Sequence, residues 1–83
     1  SDGIFRDPDL PGQGLGTIVA EEMEKHAKKE GVEIIQLRLF DFPEVVSFFE
    51  NRNYKIRDKI RAQFGGIEFE LSIAELDLTK KAA

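Results

Sequence analysis

The dipeptide Gly65-Gly66 lies between two segments of alternating polarity, and it constrains the fold more than any other feature of the sequence. A two-residue glycine loop is typical of a tight β-hairpin turn in which both residues take positive φ. The preceding segment, 54–64, has apolar residues at its even positions, apart from Asp58, and Lys, Arg or Gln at its odd positions. The turn then sets the pairs Phe64 with Ile67, Ala62 with Phe69, Ile60 with Leu71, Arg61 with Glu70 and Gln63 with Glu68. Because these pairs match on both faces, the sequence predicts an antiparallel hairpin.

Size and composition limit the classes of function. The chain has 83 residues, 41% apolar and 34% charged, which is typical of a small soluble globular domain with one core. With no Cys and one His, disulfides and thiolate metal sites are excluded and a His-based metal site is disfavoured. The net charge of −4 disfavours nucleic acid as a partner. Neither a membrane span nor a signal peptide is visible, so we expect a cytoplasmic protein.

A helix is predicted in the first half of the chain. Residues 1–16 are rich in Gly, Pro and Asp, and only Ile4-Phe5-Arg6 has extended character, so we expect a strand end followed by a loop. From Thr17 to Glu30 good helix formers carry apolar side chains at helical spacing. Gly31 supplies the left-handed residue that commonly ends a helix.

A strand and a second helix are predicted between Gly31 and the hairpin. Residues 33–40 combine β-branched with alternating apolar residues, which favours a largely buried strand. Asp41 is predicted to cap the next helix, which has Pro43 in its first turn and ends at Asn51-Arg52-Asn53.

The predicted elements follow the order β-α-β-α-β-β, which indicates an α/β or α+β class. The first strand, the first helix and strand 33–40 would form a βαβ unit with a parallel strand pair, while the hairpin is antiparallel, so we expect a mixed sheet. We expect one domain over residues 1–83, with a frayed tail at 77–83.

Segment 10–17, Leu-Pro-Gly-Gln-Gly-Leu-Gly-Thr, places glycines at alternate positions immediately before a helix. This exposes backbone N–H groups next to the positive end of the helix dipole, an arrangement that suits phosphate. A P-loop would need Gly-Lys-Ser/Thr where Gly16-Thr17-Ile18 stands, and a dinucleotide fingerprint counted from Gly12 and Gly14 would need Gly at Thr17. The sequence predicts a phosphate site of neither type, and the alternative is a tight turn without a ligand.

The loop resembles the acyl-CoA loop of the GCN5-related N-acetyltransferases, in which Gln/Arg-x-x-Gly-x-Gly/Ala opens a helix. Here the residues are Pro11-Gly12-Gln13-Gly14-Leu15-Gly16. The upstream Asp7-Pro8-Asp9-Leu10 is similar to the family's proline-containing approach, and 48–54 resembles its Leu-Tyr-Glu-Lys-x-Gly-Phe segment. The likeness covers roughly residues 4–74 and implies the C-terminal half of an acyl-CoA N-acyltransferase fold.

The resemblance also implies a co-substrate and the residues that bind it. The backbone at Phe5 and Arg6 would polarise the thioester carbonyl of acetyl-CoA, which an acceptor amine would attack directly. The pyrophosphate would be held by the loop residues Gly12, Gln13, Gly14, Leu15, Gly16 and Thr17.

Several positions depart from the family pattern. Pro11 stands where a Gln or Arg would donate to the pyrophosphate, and Phe42 where an Asn often helps to hold the pantetheine. Asn53 replaces a Gly. Phe49 stands where a Tyr often protonates the CoA thiolate, and a phenyl ring cannot donate a proton. Catalytic residues are therefore left unassigned.

Other residues have a functional and a structural interpretation. We expect His26 to be a half-buried packing residue and not a base. The basic residues of segment 55–61 could bind CoA phosphate or an acidic partner, but a solvated face is favoured. Phe48 and Phe49 are expected in the core. Asp58 is expected at a bulge or strand end, with a base near the cleft as the alternative.

The expected function is acyl-CoA recognition by an acetyltransferase-like half-domain, with an amine as acceptor. The alternative is a non-catalytic module that pairs with another chain or with a second copy through an open strand edge. We therefore expect a homo-oligomer or a partner chain that completes the sheet. A trimmed fragment of a larger protein is a third interpretation.

Overall fold

The computed structural model describes residues 14–80, which form two helices and three strands. These elements are α1 (Leu15–Lys29), β1 (Ile34–Phe40), α2 (Pro43–Glu50), β2 (Lys55–Phe64) and β3 (Ile67–Asp77). Helix α1 belongs to one compact unit, and α2 with the sheet to a second. The described residues therefore have an α+β arrangement in the predicted order. The predicted strand at Ile4–Arg6, and with it the parallel pair of a mixed sheet, lies outside the described residues.

The hairpin of β2 and β3 forms as predicted. Gly65 and Gly66 have φ values of 58° and 79°, which are the two positive values that a type I′ turn requires. The observed pairs include Phe64 with Ile67, Ala62 with Phe69, Ile60 with Leu71, Arg61 with Glu70 and Gln63 with Glu68. All five predicted pairs are confirmed.

Strand β3 lies in the centre of the sheet, whose order is β1-β3-β2. Both of its neighbours run antiparallel to it. Strands β1 and β2 are therefore not neighbours, although only α2 and short loops connect them. Among the described strands, β1 and β2 form the two edges.

A bulge interrupts β2 at Arg57. Ile56 lies opposite Ala74 and Asp58 opposite Ile73, so one residue of β2 has no counterpart on β3. The extra residue moves the alternation of β2 onto the other face of the sheet. Asp58 accepts a hydrogen bond from the backbone N–H of Lys59 at 2.8 Å. The interpretation of Asp58 as a bulge residue is confirmed.

The register defines two faces, because directly opposed residues of antiparallel strands point to the same side. The Ser72 face carries Ile35, Leu37, Leu39, Ser72 and Ala74, and the Phe69 face carries Phe40, Ile60, Phe64, Phe69 and Leu71. Helix α2 packs against β1. The buried apolar side chains of this unit are Ile35, Leu39, Val45, Tyr54, Leu71 and Ala74.

Both helices end in a Schellman motif. In α1 the N–H of Gly31 donates to Lys28 and that of Val32 to Ala27, at 3.1 and 2.9 Å. Gly31 has the left-handed φ of 76°, so its predicted role as the end of the helix is confirmed.

The corresponding bonds after α2 run from Asn53 to Glu50 and from Tyr54 to Phe49, both at 3.0 Å. Asn53 takes the left-handed position with φ 73°. The rings of Tyr54 and Phe49 are in edge contact, with centroids 5.2 Å apart, which is the apolar contact that often accompanies this motif.

The C-terminal end of β3 is anchored. Asp77 is the last residue of the strand and lies opposite Ile34. Its carboxylate accepts hydrogen bonds from the backbone and the hydroxyl of Thr79. Residues 81–83 of the predicted tail lie outside the described residues.

Candidate phosphate site at the start of α1

Gly14 is the N-cap residue of α1. Its backbone is extended, with φ −78° and ψ 147°. Its carbonyl accepts hydrogen bonds from the N–H groups of Thr17 and Ile18, at 3.1 and 3.3 Å. No side-chain hydrogen bond caps this end of the helix. The N–H groups of Leu15 and Gly16 belong to the first turn, where helical geometry offers no acceptor within the helix.

The charge pattern of α1 leaves the positive end of its dipole without an internal counter-charge. None of the first-turn residues, Leu15 to Ile18, is acidic. The basic residues His26, Lys28 and Lys29 lie in the last turn, where they complement the negative end. An anion held by backbone N–H groups is the ligand chemistry that this terminus favours.

Four of the predicted site residues lie together in this turn, at the N-cap and the first three helical positions: Gly14, Leu15, Gly16 and Thr17. The helix begins at Leu15, two residues before the predicted start at Thr17. Gly16 and Thr17 are therefore helical residues and not part of an irregular loop. The other predicted residues, Phe5, Arg6, Gly12 and Gln13, lie outside the described residues.

His26 differs from its prediction. It is exposed on the last turn of α1 and not half-buried. Its type and position suit the negative end of the helix dipole. Within residues 14–80, no group of three or more His, Asp or Glu side chains is arranged to hold a metal ion.

The basic residues of β2 do not form one row on one face, because the bulge divides them. Arg57 pairs with Glu75 at 3.4 Å, and Arg61 pairs with Glu68 at 3.2 Å. The side chains of Arg57 and Arg61 are 55% and 71% exposed, so solvent screens both pairs. These contacts favour the predicted solvated face over a CoA phosphate patch.

Phe48 and Phe49 pack in a cluster of rings. Their centroids are 4.9 Å apart and the rings are nearly perpendicular. Phe49 also contacts Tyr54, which is only 2% exposed. Phe49, at the general-acid position implied by the resemblance, is therefore a packing residue in this structure.

A polar cluster that the sequence did not predict lies at the end of β1. Asp41 does not cap α2, since the N-cap is Phe42 and no side chain caps it. The Asp41 carboxylate instead accepts from the hydroxyl of Ser72 at 3.1 Å and from the ammonium of Lys59 at 3.3 Å. Ser72 is a small polar residue between the apolar residues Leu71 and Ile73, and this was the one available signal. The bond is long-range, so local spacing could not predict it.

Comparison with protein-family models, with curated proteins and with solved structures gave no match for this chain. Within residues 14–80, neither helix has the length and apolar character needed to cross a bilayer.

Proposed function

We propose that the chain is an acyl-CoA-binding domain of the acetyltransferase type, with acetyl-CoA as co-substrate and an amine as acceptor where the cleft is complete. The observation that carries the proposal is the start of α1. Gly14, Leu15, Gly16 and Thr17 form a terminus without a side-chain cap and without an acidic residue. Such a terminus favours the pyrophosphate of CoA.

The segment after α2 supports the same alignment with the family pattern. The resemblance expects a glycine at Asn53, and Asn53 has the positive φ that a glycine would adopt there, 73°. Asn is among the few residues other than Gly that tolerate this conformation. Helix ends favour Gly or Asn in general, so this agreement supports the alignment and does not carry it alone.

The described residues support CoA binding by this chain and offer no general acid at position 49 for acetyl transfer. The side chain of Phe49 packs against Phe48 and Tyr54 and has no proton to give to a thiolate. We therefore expect CoA binding with little acetyl transfer. The amine acceptor and the cytoplasmic location belong to this proposal only through the resemblance.

The test is a titration of the isotope-labelled protein with CoA, followed by NMR. We expect the amide signals of residues 12–17 to shift first. The decisive variant is Thr17→Glu, because a glutamate three residues after the N-cap can reach back to the N-cap N–H and place its negative charge at the ligand position. It should preserve or raise the free energy of unfolding while it weakens CoA binding by tenfold or more. Thr17→Gln is the control of equal size without the charge.

Three results would contradict the proposal. One is the absence of any shift at residues 12–17 at millimolar CoA. The second is an equal response to CoA and to inorganic phosphate at the same concentration, which would indicate a general anion effect. The third is equal CoA affinity in the Thr17→Glu and Thr17→Gln variants.

A second candidate function is a non-catalytic pairing module, and the Phe69 face favours it. Phe40 stacks on Phe42 at 5.7 Å and contacts Phe69 at 5.5 Å, and Phe69 contacts Phe64 at 5.8 Å. Phe42, Phe64 and Ile67 are 55%, 55% and 61% exposed. Contiguous exposed apolar side chains commonly mark an interaction surface.

A further inference from the structure

The two edges of the sheet have opposite character. Strand β2 carries Lys or Arg at four of its positions and a bulge at Arg57, and both features discourage pairing with another strand. Strand β1 has a single charged residue, Arg38, and neither a proline nor a register shift. No described strand pairs with the outer edge of β1. Among the strands that the structure describes, only the β2 edge therefore carries such protection.

The sequence of β1 is palindromic in polarity. Ile-Ile-Gln-Leu-Arg-Leu-Phe reads apolar, apolar, polar, apolar, polar, apolar, apolar in both directions around Leu37. A strand of this kind can pair with an antiparallel copy of itself so that every residue meets one of its own class. Such self-complementarity is the requirement of a two-fold interface.

We propose that two copies of the chain join through β1, antiparallel and centred on Leu37, to form one six-stranded sheet. This inference specifies the second candidate function, on which it rests, and it uses the same edge of β1 that the predicted parallel strand at residues 4–6 would pair with. In this register the cross-strand pairs are Leu37 with Leu37, Gln36 with Arg38, Ile35 with Leu39 and Ile34 with Phe40.

The pairing covers apolar side chains that the single chain exposes. Ile34 is 52% and Phe40 44% exposed. The register places Ile34 of each copy beside Phe40 of the other, so two such contacts form. Aromatic and β-branched residues in direct cross-strand contact stabilise a sheet. Ile34 of each copy would thereby cover the Phe40 end of the row of rings on the Phe69 face of the other copy.

The polar side chains on either side of Leu37 are complementary as hydrogen-bond donors and acceptors. Gln36 donates from its amide nitrogen to Glu75 at 3.0 Å, which leaves its carbonyl oxygen as an acceptor for Arg38 of the second copy. Arg38 is exposed and has no ion-pair partner among the described residues. Paired in this register, it would lie next to the Gln36 and Glu75 pair of the other copy.

Disulfide trapping tests the register, because the native chain has no Cys. Chains with Gln36→Cys and chains with Arg38→Cys are mixed and oxidised. One of the two is labelled with heavy isotopes, so that mass spectrometry distinguishes the mixed dimer from dimers of a single variant. Directly opposed residues have Cα atoms ~5 Å apart, which a disulfide can bridge. Two copies of one variant would place the cysteines two positions out of register, at ~8 Å, which is too far. We expect the mixed dimer to cross-link and each variant alone to remain reduced.

Sedimentation of the full chain tests the pairing itself. We expect a dimer for the native chain. Arg38→Glu should raise its dissociation constant about tenfold, because two symmetric pairs lose their attraction and each introduced carboxylate comes near Glu75 of the other copy. Gln36→Lys combined with Arg38→Glu should restore the dimer, because the two substitutions place opposite charges at directly opposed positions. Arg61→Glu on β2, the opposite edge of the described sheet, makes the same change in net charge and should leave the dissociation constant unchanged.

The failures are distinguishable. A monomer up to high micromolar concentration would overturn the pairing of two copies and would leave the second candidate function only for a different partner chain. Two results with a dimeric native chain would place the interface elsewhere and overturn the proposal alone. One is a failure of the Gln36→Cys and Arg38→Cys chains to cross-link. The other is a failure of Gln36→Lys combined with Arg38→Glu to restore the dimer. Neither result would affect the CoA titration.

Discussion

The Asp41 carboxylate connects all three strands, and its removal should destabilise the sheet by a predictable amount. It accepts from Ser72 on β3 and from Lys59 on β2, at 3.1 and 3.3 Å. Its own N–H donates to the carbonyl of Glu70 at 3.1 Å. Ser72 is fully buried, so its hydroxyl has no access to bulk water.

Substitution Asp41→Ala leaves the Ser72 hydroxyl without this acceptor. A buried donor that loses its partner costs about 1–3 kcal/mol. The contact with Lys59 adds about 0–1 kcal/mol, because the lysine side chain is 61% exposed and solvent screens the pair. The expected loss in free energy of unfolding is about 2 kcal/mol. For a domain of this size that corresponds to a fall in Tm of roughly 8–16 °C.

Urea and thermal unfolding, followed by circular dichroism, measure the effect in a matched series. Asp41→Asn keeps an acceptor for Ser72 and loses only the charge, so it should cost less than about 1 kcal/mol. Adding Ser72→Ala to Asp41→Ala removes the unsatisfied hydroxyl and should restore part of the loss. The reasoning is refuted if Asp41→Ala and Asp41→Asn agree within about 0.5 kcal/mol, or if Ser72→Ala restores nothing.

Three further predictions concern the turn, the end of the sheet and catalysis. Gly65→Asn should change the free energy of unfolding by less than about 0.5 kcal/mol, since Asn-Gly is a preferred type I′ pair. Gly66→Ala should lower it by about 1–2 kcal/mol, because an alanine there must adopt the positive φ. Equal losses for the two variants in urea unfolding would contradict this. Hydrogen bonds from Thr79, chiefly from its hydroxyl and secondly from its N–H, hold the pKa of Asp77 below its ordinary 3.8. The ionised carboxylate therefore stabilises the fold above pH ~3.8, and this contribution is lost as the pH falls through the lowered pKa. NMR titration should show the pKa of Asp77 rising in Thr79→Ala, and an unchanged value would exclude that cause. Phe49→Tyr should raise thiol release from acetyl-CoA with polyamine acceptors ~10²-fold in an assembly with a complete cleft, whereas robust turnover by the native chain would show that another group protonates the thiolate.

The hairpin could be predicted in full because its determinants are local. Two adjacent glycines fix the turn type, and the turn fixes the register of the pairs from Phe64 and Ile67 as far as the bulge at Arg57. The bulge at Arg57 could also be predicted, since Asp58 is the one charged residue at the even, otherwise apolar positions of segment 54–64. Both features required no knowledge of distant residues.

The central position of β3 could not be predicted in the same way. Nothing in the sequences of β1 and β2 states that a later strand will lie between them, because this choice depends on long-range packing. Asp41 failed as a predicted cap for the same reason: Ser72 and Lys59 compete for its carboxylate, and both become neighbours only after the sheet forms. At the candidate phosphate site the structure describes Gly14, Leu15, Gly16 and Thr17, and the helix begins at Leu15 instead of the predicted Thr17.

The ends of α1 and α2 each place one residue in the left-handed conformation, so substitutions at the two positions can be compared directly. Gly31 and Asn53 occupy the same place in two Schellman motifs, with φ 76° and 73°. A Cβ added at Gly31 would meet no atom within 4 Å, so the cost of Gly31→Ala is conformational alone, about 1–2 kcal/mol. Asn53→Ala should lower the free energy of unfolding by a slightly smaller amount, because the native Asn already has a small conformational cost in the left-handed region. Asn53→Gly should lie within about 0.5 kcal/mol of the native chain, because relief of the Cβ is offset by the larger entropy of the unfolded chain. Urea unfolding of the three variants measures these differences. If Asn53→Ala costs nothing while Gly31→Ala costs the full amount, Asn53 does not adopt the left-handed conformation in solution, and its support for the acyltransferase alignment falls with it.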